Sequence, residues 1–280
     1  MGQKWNEIPA GTLLTASQNL WGVLGANAGR VAEQLKRDQT FVRKAGAFLL
    51  SGGIKEPTSL ELARYIMGRN RNWWGPTEWA EKYGARFNKK QIRDAGKFPW
   101  GEDILNSTCP LCGKVVKDCH FAFLGLTAIN GFPLTVAKWL ELHPATDQPK
   151  FYFNQNPWHA GQPHTDVTTM ALRYYLLHTE IVPNSTGKTP EEQVAMLPPE
   201  YEVPTTITET TKDILVFHKT DVRPNGSKWA ACTERTVKTS TARAAYVSCV
   251  GRFDERGLSV YVWDGLRRSS VGVGASRKLF

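Results

Sequence analysis

The chain has 280 residues, 41% of them hydrophobic and 22% charged, ordinary proportions for one large or two small globular domains. Its formal charge of +9 favours encounter with acidic partners, nucleic acid or an anionic surface, and says nothing about fold. No apolar run approaches the roughly 18 residues that a membrane span needs, and five unevenly placed cysteines argue against a disulfide framework and for a reducing compartment.

The opening, MGQKWNEIPAGTLLTASQNLWG, lacks a basic n-region followed by an apolar run and a small-residue cleavage site. The expectation is a cytoplasmic or virion-associated chain without a signal peptide. Residues 12–50 carry Leu13, Leu20, Leu24, Val31, Leu35, Val42 and Leu49 at spacings near three, four and seven, a helical pattern. SGGIKEP breaks it, and TSLELARYIM predicts a second helix with Thr58 or Ser59 as N-cap. TEWAEKYG and NKKQIRDAG read as two short helices ending at Gly84 and Gly96. As a helix-turn-helix they would turn Lys89, Lys90 and Arg93 toward phosphates; as a packing unit those side chains are a solvated basic face.

STCPLCGKVVKDCHF holds Cys109, Cys112, Cys119 and His120. A C-x2-C turn can direct two thiolates at one ion, which makes this a candidate structural zinc site. Adjacent side chains on a strand point to opposite faces, so at most one of Cys119 and His120 ligates. His143, His159 or His164 would then complete the set. The alternative is reduced cysteines in a loop beside a buried histidine.

Beyond residue 120 the texture changes. HFAFLGL, KFYFN and ALRYYLLHTEIV predict strands, and FPLTVAKWLELH a helix. In NSTGKTPEEQVAML, Thr189, Pro190 and Glu192 form a strong helix start. PTTITETTKDILVFHKT predicts a further helix despite its threonines. TARAAYVSCVG, GLSVYVW and SVGVGASRKLF close the chain as short strands. The order is that of an α+β fold, with a helical region at 1–100 and a second domain at 101–280. No nucleophile elbow, P-loop, dinucleotide fingerprint or HExxH occurs, so no enzyme is expected. Cys232 and Cys249 could form a redox or copper-binding pair on an oxidase, or be two small buried apolar residues.

The segment 246–280 mixes a regular frame with side chains that neither core nor surface predicts. Gly251, Gly257, Trp263, Gly272 and the closing ASRKL run form the frame; Arg252, Phe253, Asp254, Ser259, Tyr261, Val262, Gly265, Leu266, Arg268, Ser269 and Ser270 occupy the irregular positions. Leu258 and Val260 would point inward on a strand, leaving Ser259 and Tyr261 outward. Tyrosine and arginine are the usual hot-spot residues of a binding face. The run VGRFDERGLSVYVWDGLRRSSVGVGASRKL resembles the variable region of diversity-generating retroelement target proteins, and the upstream runs IMGRN, WWGPTEWAEKYG and EIVPNSTGKTPEEQVAML resemble chains with this ending. The resemblance implies a C-terminal C-type-lectin-like (formylglycine-generating-enzyme-type) domain whose variable residues, rewritten at template adenines, bind a protein or other macromolecule without obligatory calcium. All the irregular positions hold residue types reached by changing the two adenines of an AAC or AAT codon; Lys, Glu, Gln, Met and Trp are not so reached. The runner-up function is a zinc-stabilised nucleic-acid-binding protein using the Cys cluster with Lys89, Lys90 and Arg93.

Overall fold

The computed structural model describes residues 15, 17–19, 21–22, 24–50, 58–144, 146–152, 159–239 and 245–279. The chain divides into two units, Met1–Glu56 and Pro57–Phe280. In the first, a 3-10 turn at Gly25–Asn27 leads into α1 (Ala28–Arg37), and α2 (Gln39–Leu50) follows. The long predicted helix is broken at Asp38 because that residue is extended and its carboxylate accepts from the backbone of Thr40 and Phe41, at 2.8 and 3.0 Å, capping α2. Val31 and Leu35 of α1 are partly covered, at helical spacing, and the charged residues of that helix are exposed.

The second unit begins with α3 (Ser59–Arg69). Of the two candidate caps, Thr58 is the one used, and it forms a capping box with Glu61. Then come β1 (Trp73–Trp74), α4 (Pro76–Tyr83), α5 (Lys89–Ala95), α6 (Glu102–Leu105) and α7 (Val116–Cys119). The helical segments after residue 58 therefore belong with the larger unit, not with a separate region ending near residue 100. Trp73, Trp74 and Trp79 explain why: all three are buried in the main core, and β1 lies parallel to β2.

The remaining elements are β2 (His120–Leu124), β3 (Ala128–Ile129), β4 (Phe132–Pro133), α8 (Val136–Leu142), α9 (Pro163–Asp166), β5 (Tyr174–His178), α10 (Pro190–Ala195), β6 (Tyr201–Glu202), α11 (Thr206–Thr220), β7 (Trp229–Arg235), β8 (Val247–Asp254), β9 (Gly257–Trp263), β10 (Val271–Val273) and β11 (Ser276–Arg277). They form an α+β fold. One sheet has the order β1-β2-β5-β11-β6, a second β10-β7-β8-β9, and β3-β4 is a hairpin. The strand β7 was not legible as such; of the predicted strand KFYFN, residues 153–154 lie outside the described residues and Phe151 bridges Leu258.

Helix α11 packs against β7, β8 and β9 and against β2, so it lies in the core between the sheets. Its residues from Thr206 to Val216 are all buried. A helix covered all round must satisfy its polar side chains internally. The Thr206 hydroxyl donates to the Glu234 carboxylate (2.9 Å) and accepts from the Ser248 hydroxyl (2.8 Å), and Thr211 accepts from the Trp139 indole (2.8 Å). Lys212 lies between Glu209 (2.5 Å) and Asp213 (3.1 Å), all three fully buried. Burial raises the Asp213 carboxyl to about 7, against the opposing pull of Lys212.

Candidate metal centre and binding face

The C-x2-C segment folds into a tight knuckle. Thr108 bridges Val115, the Cys109 amide donates to the Lys114 carbonyl (2.7 Å), and the Gly113 amide donates to the Cys109 carbonyl (2.9 Å). The Leu111 amide points at the Cys109 sulfur, 3.4 Å away. Cys119 ends α7, and His178 ends β5 directly opposite His120 in the β2–β5 register. The donor atoms of Cys109, Cys112, Cys119 and His178 all lie within 4.8 Å of one another. Three of these residues are buried and Cys112 is half-buried. These four residues could hold a metal ion.

The imidazole of His178 is poised for that role. Its Nδ1 donates to the Glu180 carbonyl at 2.8 Å, which leaves Nε2 without a proton, and that atom is buried with no hydrogen-bond partner. A metal-binding histidine needs this tautomer. Burial lowers the His178 pKa, against the opposing pull of its hydrogen bond to Glu180. A hydrogen bond from Cys119 pulls the Cys109 thiol down to about 5, and the same bond raises Cys119.

His120, expected as a candidate ligand, is not in this cluster. Only one of the adjacent pair joins the cluster, and that one is Cys119, though not through the pleat of a strand: Cys119 ends α7 and His120 begins β2. His120 stands behind it: Nδ1 is 3.3 Å from the Cys119 sulfur and 3.2 Å from the Val116 carbonyl, and Nε2 is 3.0 Å from the Tyr201 hydroxyl. The other proposed fourth ligands lie elsewhere. His143 is bonded to Tyr83 (3.0 Å) and rests beside His218 (5.3 Å between rings), while His159 and His164 neighbour Asp166. The signal for His178 was present only as a residue inside the predicted strand ALRYYLLHTEIV; the strand pairing that brings it across from His120 is not a sequence property.

The second feature is the outward face of the β10-β7-β8-β9 sheet. Leu258 and Val260 point into the main core, and the opposite face carries a small separate apolar cluster with Val247, Cys249, Trp263 and Val271. Above it lie two adjoining cavities of about 330 and 360 Å³ that share Trp229 and Tyr261. Arg252, Asp254 and Ser259 line the first, with Tyr152 and Arg256. Val262, Arg268 and Ser270 line the second, with Tyr246. Tyr261 is 46% exposed and its ring lies 5.3 Å from that of Trp229. Leu266 is 63% exposed, Ser269 is exposed, and Gly265 is half-buried. The loop 264–270 is held by the Trp263 indole, which donates to the Leu266 carbonyl (2.6 Å), and by Arg267 on Glu192 (2.6 Å). Each cavity has one arginine–aspartate pair, Arg256–Asp254 (2.7 Å) and Arg268–Asp264 (2.8 Å).

Ser259, expected outward, lines its cavity from a buried position, 5% exposed. Phe253, also expected outward, is 1% exposed and packs on Phe217, ring centroids 5.3 Å apart, in the main core. The β8–β9 register shifts between Gly251 and Asp254. An irregularity of this kind inverts strand alternation. Arg252 adopts φ +45°, is thrown outward, and Phe253 takes the inward position. Gly265 also departs from the expected permissive position. Its φ of +83° lies in the left-handed region that favours glycine, so few other residues suit it. Sequence reasoning missed Trp229, Tyr152, Tyr246 and Arg256, which come from outside the irregular pattern.

Cys232 and Cys249 are both buried, but they belong to apolar clusters on opposite faces of the sheet, so they do not form a pair. Burial raises both thiols. Lys89, Lys90 and Arg93 are exposed on α5, a helix of seven residues. Among the described residues no helix is long and apolar enough to cross a membrane.

Comparison with known proteins returns nothing. No protein-family model, curated protein or solved structure matches the chain.

Proposed function

We propose that the chain is a non-enzymatic ligand-binding protein: a diversity-generating retroelement target whose C-terminal, C-type-lectin-like domain binds a protein or other macromolecule through the outward face of the β10-β7-β8-β9 sheet. The observation that carries the reading is the gathering of Arg252, Asp254, Ser259, Tyr261, Val262, Arg268 and Ser270 around two cavities on one side of one sheet. A stiff β frame with exposed aromatic and arginine side chains is what a paratope needs, because side chains change there at little ordering cost. The bulge at Arg252–Phe253 limits the variable set: Phe253 is frame.

The same reading gives Cys109, Cys112, Cys119 and His178 to a structural zinc ion. Three thiolates and one imidazole suit zinc, and a full protein ligand set favours a structural role over a catalytic one. Native mass spectrometry of the protein purified without chelator tests this, with one zinc per chain expected. The binding reading is tested by sequencing the 3′ end of the gene across a population of its source. Substitutions concentrated at the codons for Arg252, Asp254, Ser259, Tyr261, Leu266, Arg268, Ser269 and Ser270, with Phe253 and Trp263 constant, support it. Variation spread evenly along the gene ends it.

A further inference from the structure

A chain of polar contacts leads from the metal ligands to the last strand. The Nδ1 of His120 faces the Val116 carbonyl at 3.2 Å, and a carbonyl only accepts, so Nδ1 carries the proton. That proton is shared with the Cys119 sulfur at 3.3 Å. Nε2 is then an acceptor, and the group 3.0 Å from it is the Tyr201 hydroxyl. The Cys109 sulfur is also near that hydroxyl but at 4.0 Å, so the hydroxyl proton goes to His120. Tyr201 in turn accepts from the Arg277 guanidinium at 3.2 Å. The His120 Nδ1 proton is divided between two acceptors, and the direction runs from Arg277 to Tyr201 to His120 to Cys119.

A second connection reaches the same strand. The backbone amide of His178, itself in the metal cluster, donates to the Ala275 carbonyl at 2.9 Å. β11 begins at Ser276, and β10, part of the binding sheet, ends two residues before Ala275 at Val273. The end of the binding sheet is therefore tied to the metal cluster through a side-chain route and a backbone route.

Resting on the zinc reading above, we propose that Arg277, Tyr201 and His120 are positioning residues that orient the Cys119 thiolate, and that metal loading and seating of residues 274–278 are thermodynamically linked. Linkage is reciprocal. A change at Arg277, which ligates nothing, then weakens metal binding, and metal removal loosens the C-terminal strand. Partners of this kind behind metal ligands are worth roughly 10- to 100-fold in affinity.

The test uses the full chain. Zinc affinity is measured by competition with a chromophoric chelator, and cobalt(II) loading reports the thiolate charge-transfer band. Arg277 is half-exposed, so Arg277→Gln leaves the core intact; Tyr201→Phe keeps the ring and removes the hydroxyl. Both are expected to lower zinc affinity roughly 10-fold or more and to shift the cobalt band to lower energy, since a sulfur that loses hydrogen-bond support is a better electron donor. Arg277→Lys, which keeps a donor, is expected to recover most of both. Hydrogen exchange in wild-type peptides covering 274–278 is expected to quicken on chelation. Wild-type affinity and an unshifted band in both variants, or unchanged exchange at 274–278 after metal loss, overturn the linkage. A wild-type chain that takes up neither zinc nor cobalt overturns the metal reading itself, and the linkage with it.

Discussion

Phe253→Ala separates frame from display most sharply, because its neighbours in sequence are expected to behave oppositely. Phe253 is 1% exposed and rests on Phe217, with the Arg223 guanidinium 5.8 Å from its ring. Truncating a buried phenylalanine removes its transfer free energy and leaves a cavity, at a cost of about 3–5 kcal/mol. In a unit of this size each kcal/mol moves the melting temperature by about 2–4 °C, so a fall of about 6–20 °C is expected. Arg252→Ala touches an exposed side chain and should stay within about 0.5 kcal/mol. Tyr261→Ala loses its contact with Trp229, about 1 kcal/mol. Differential scanning calorimetry, with near-ultraviolet circular dichroism to confirm native packing, reads all three. If Phe253→Ala melts within a degree or two of Tyr261→Ala, the bulge does not turn Phe253 inward and the division of this segment into frame and display is wrong.

Further outcomes follow from the same geometry. His178→Ala should abolish tight zinc retention, whereas His120→Asn should retain the ion with reduced affinity; native mass spectrometry distinguishes them. Gly257→Ala should destabilise by about 1–3 kcal/mol, because a Cβ there would lie 2.5 Å from the Lys150 carbonyl oxygen and φ is +124°; urea unfolding measures it, and a neutral result would contradict the close approach of residues 150–152 to β9. Burial lowers His143 from 6.5 to about 4 and His218 from 6.5 to about 3. Both are neutral in the folded state, so the stability they contribute is complete above pH 6.5 and is lost as pH falls from 6.5 toward those values. His143→Gln should flatten the urea-unfolding free energy between pH 6.5 and 4, and an unchanged slope would count against that burial.

Local chemistry was legible from the sequence by itself. Thr189 with Glu192 caps its helix as written, and Thr58, one of two candidates, caps the other with Glu61, since a cap is decided within four residues. The knuckle around Cys109 and Cys112 was equally plain, as was the inward set of Leu258 and Val260. The expectation that at most one of Cys119 and His120 ligates agrees with the cluster, but its reason does not: Cys119 ends a helix, and its sulfur lies 3.3 Å from the His120 ring. What the sequence left open depends on contacts between distant segments. His178 joins the cysteines because β5 pairs with β2 in one register, and nothing within either segment states that register. Phe253 turns inward because a bulge shifts β8 by a residue against β9, and alternation alone predicts the reverse. Cys232 and Cys249 left both a pair and two small buried residues open along the chain, and they are buried on opposite faces of the sheet. Short-range steric and hydrogen-bond rules act over a few residues and survive in the sequence, whereas register, bulges and the partner across a sheet are set by packing of the whole core, and only the tertiary structure decided them.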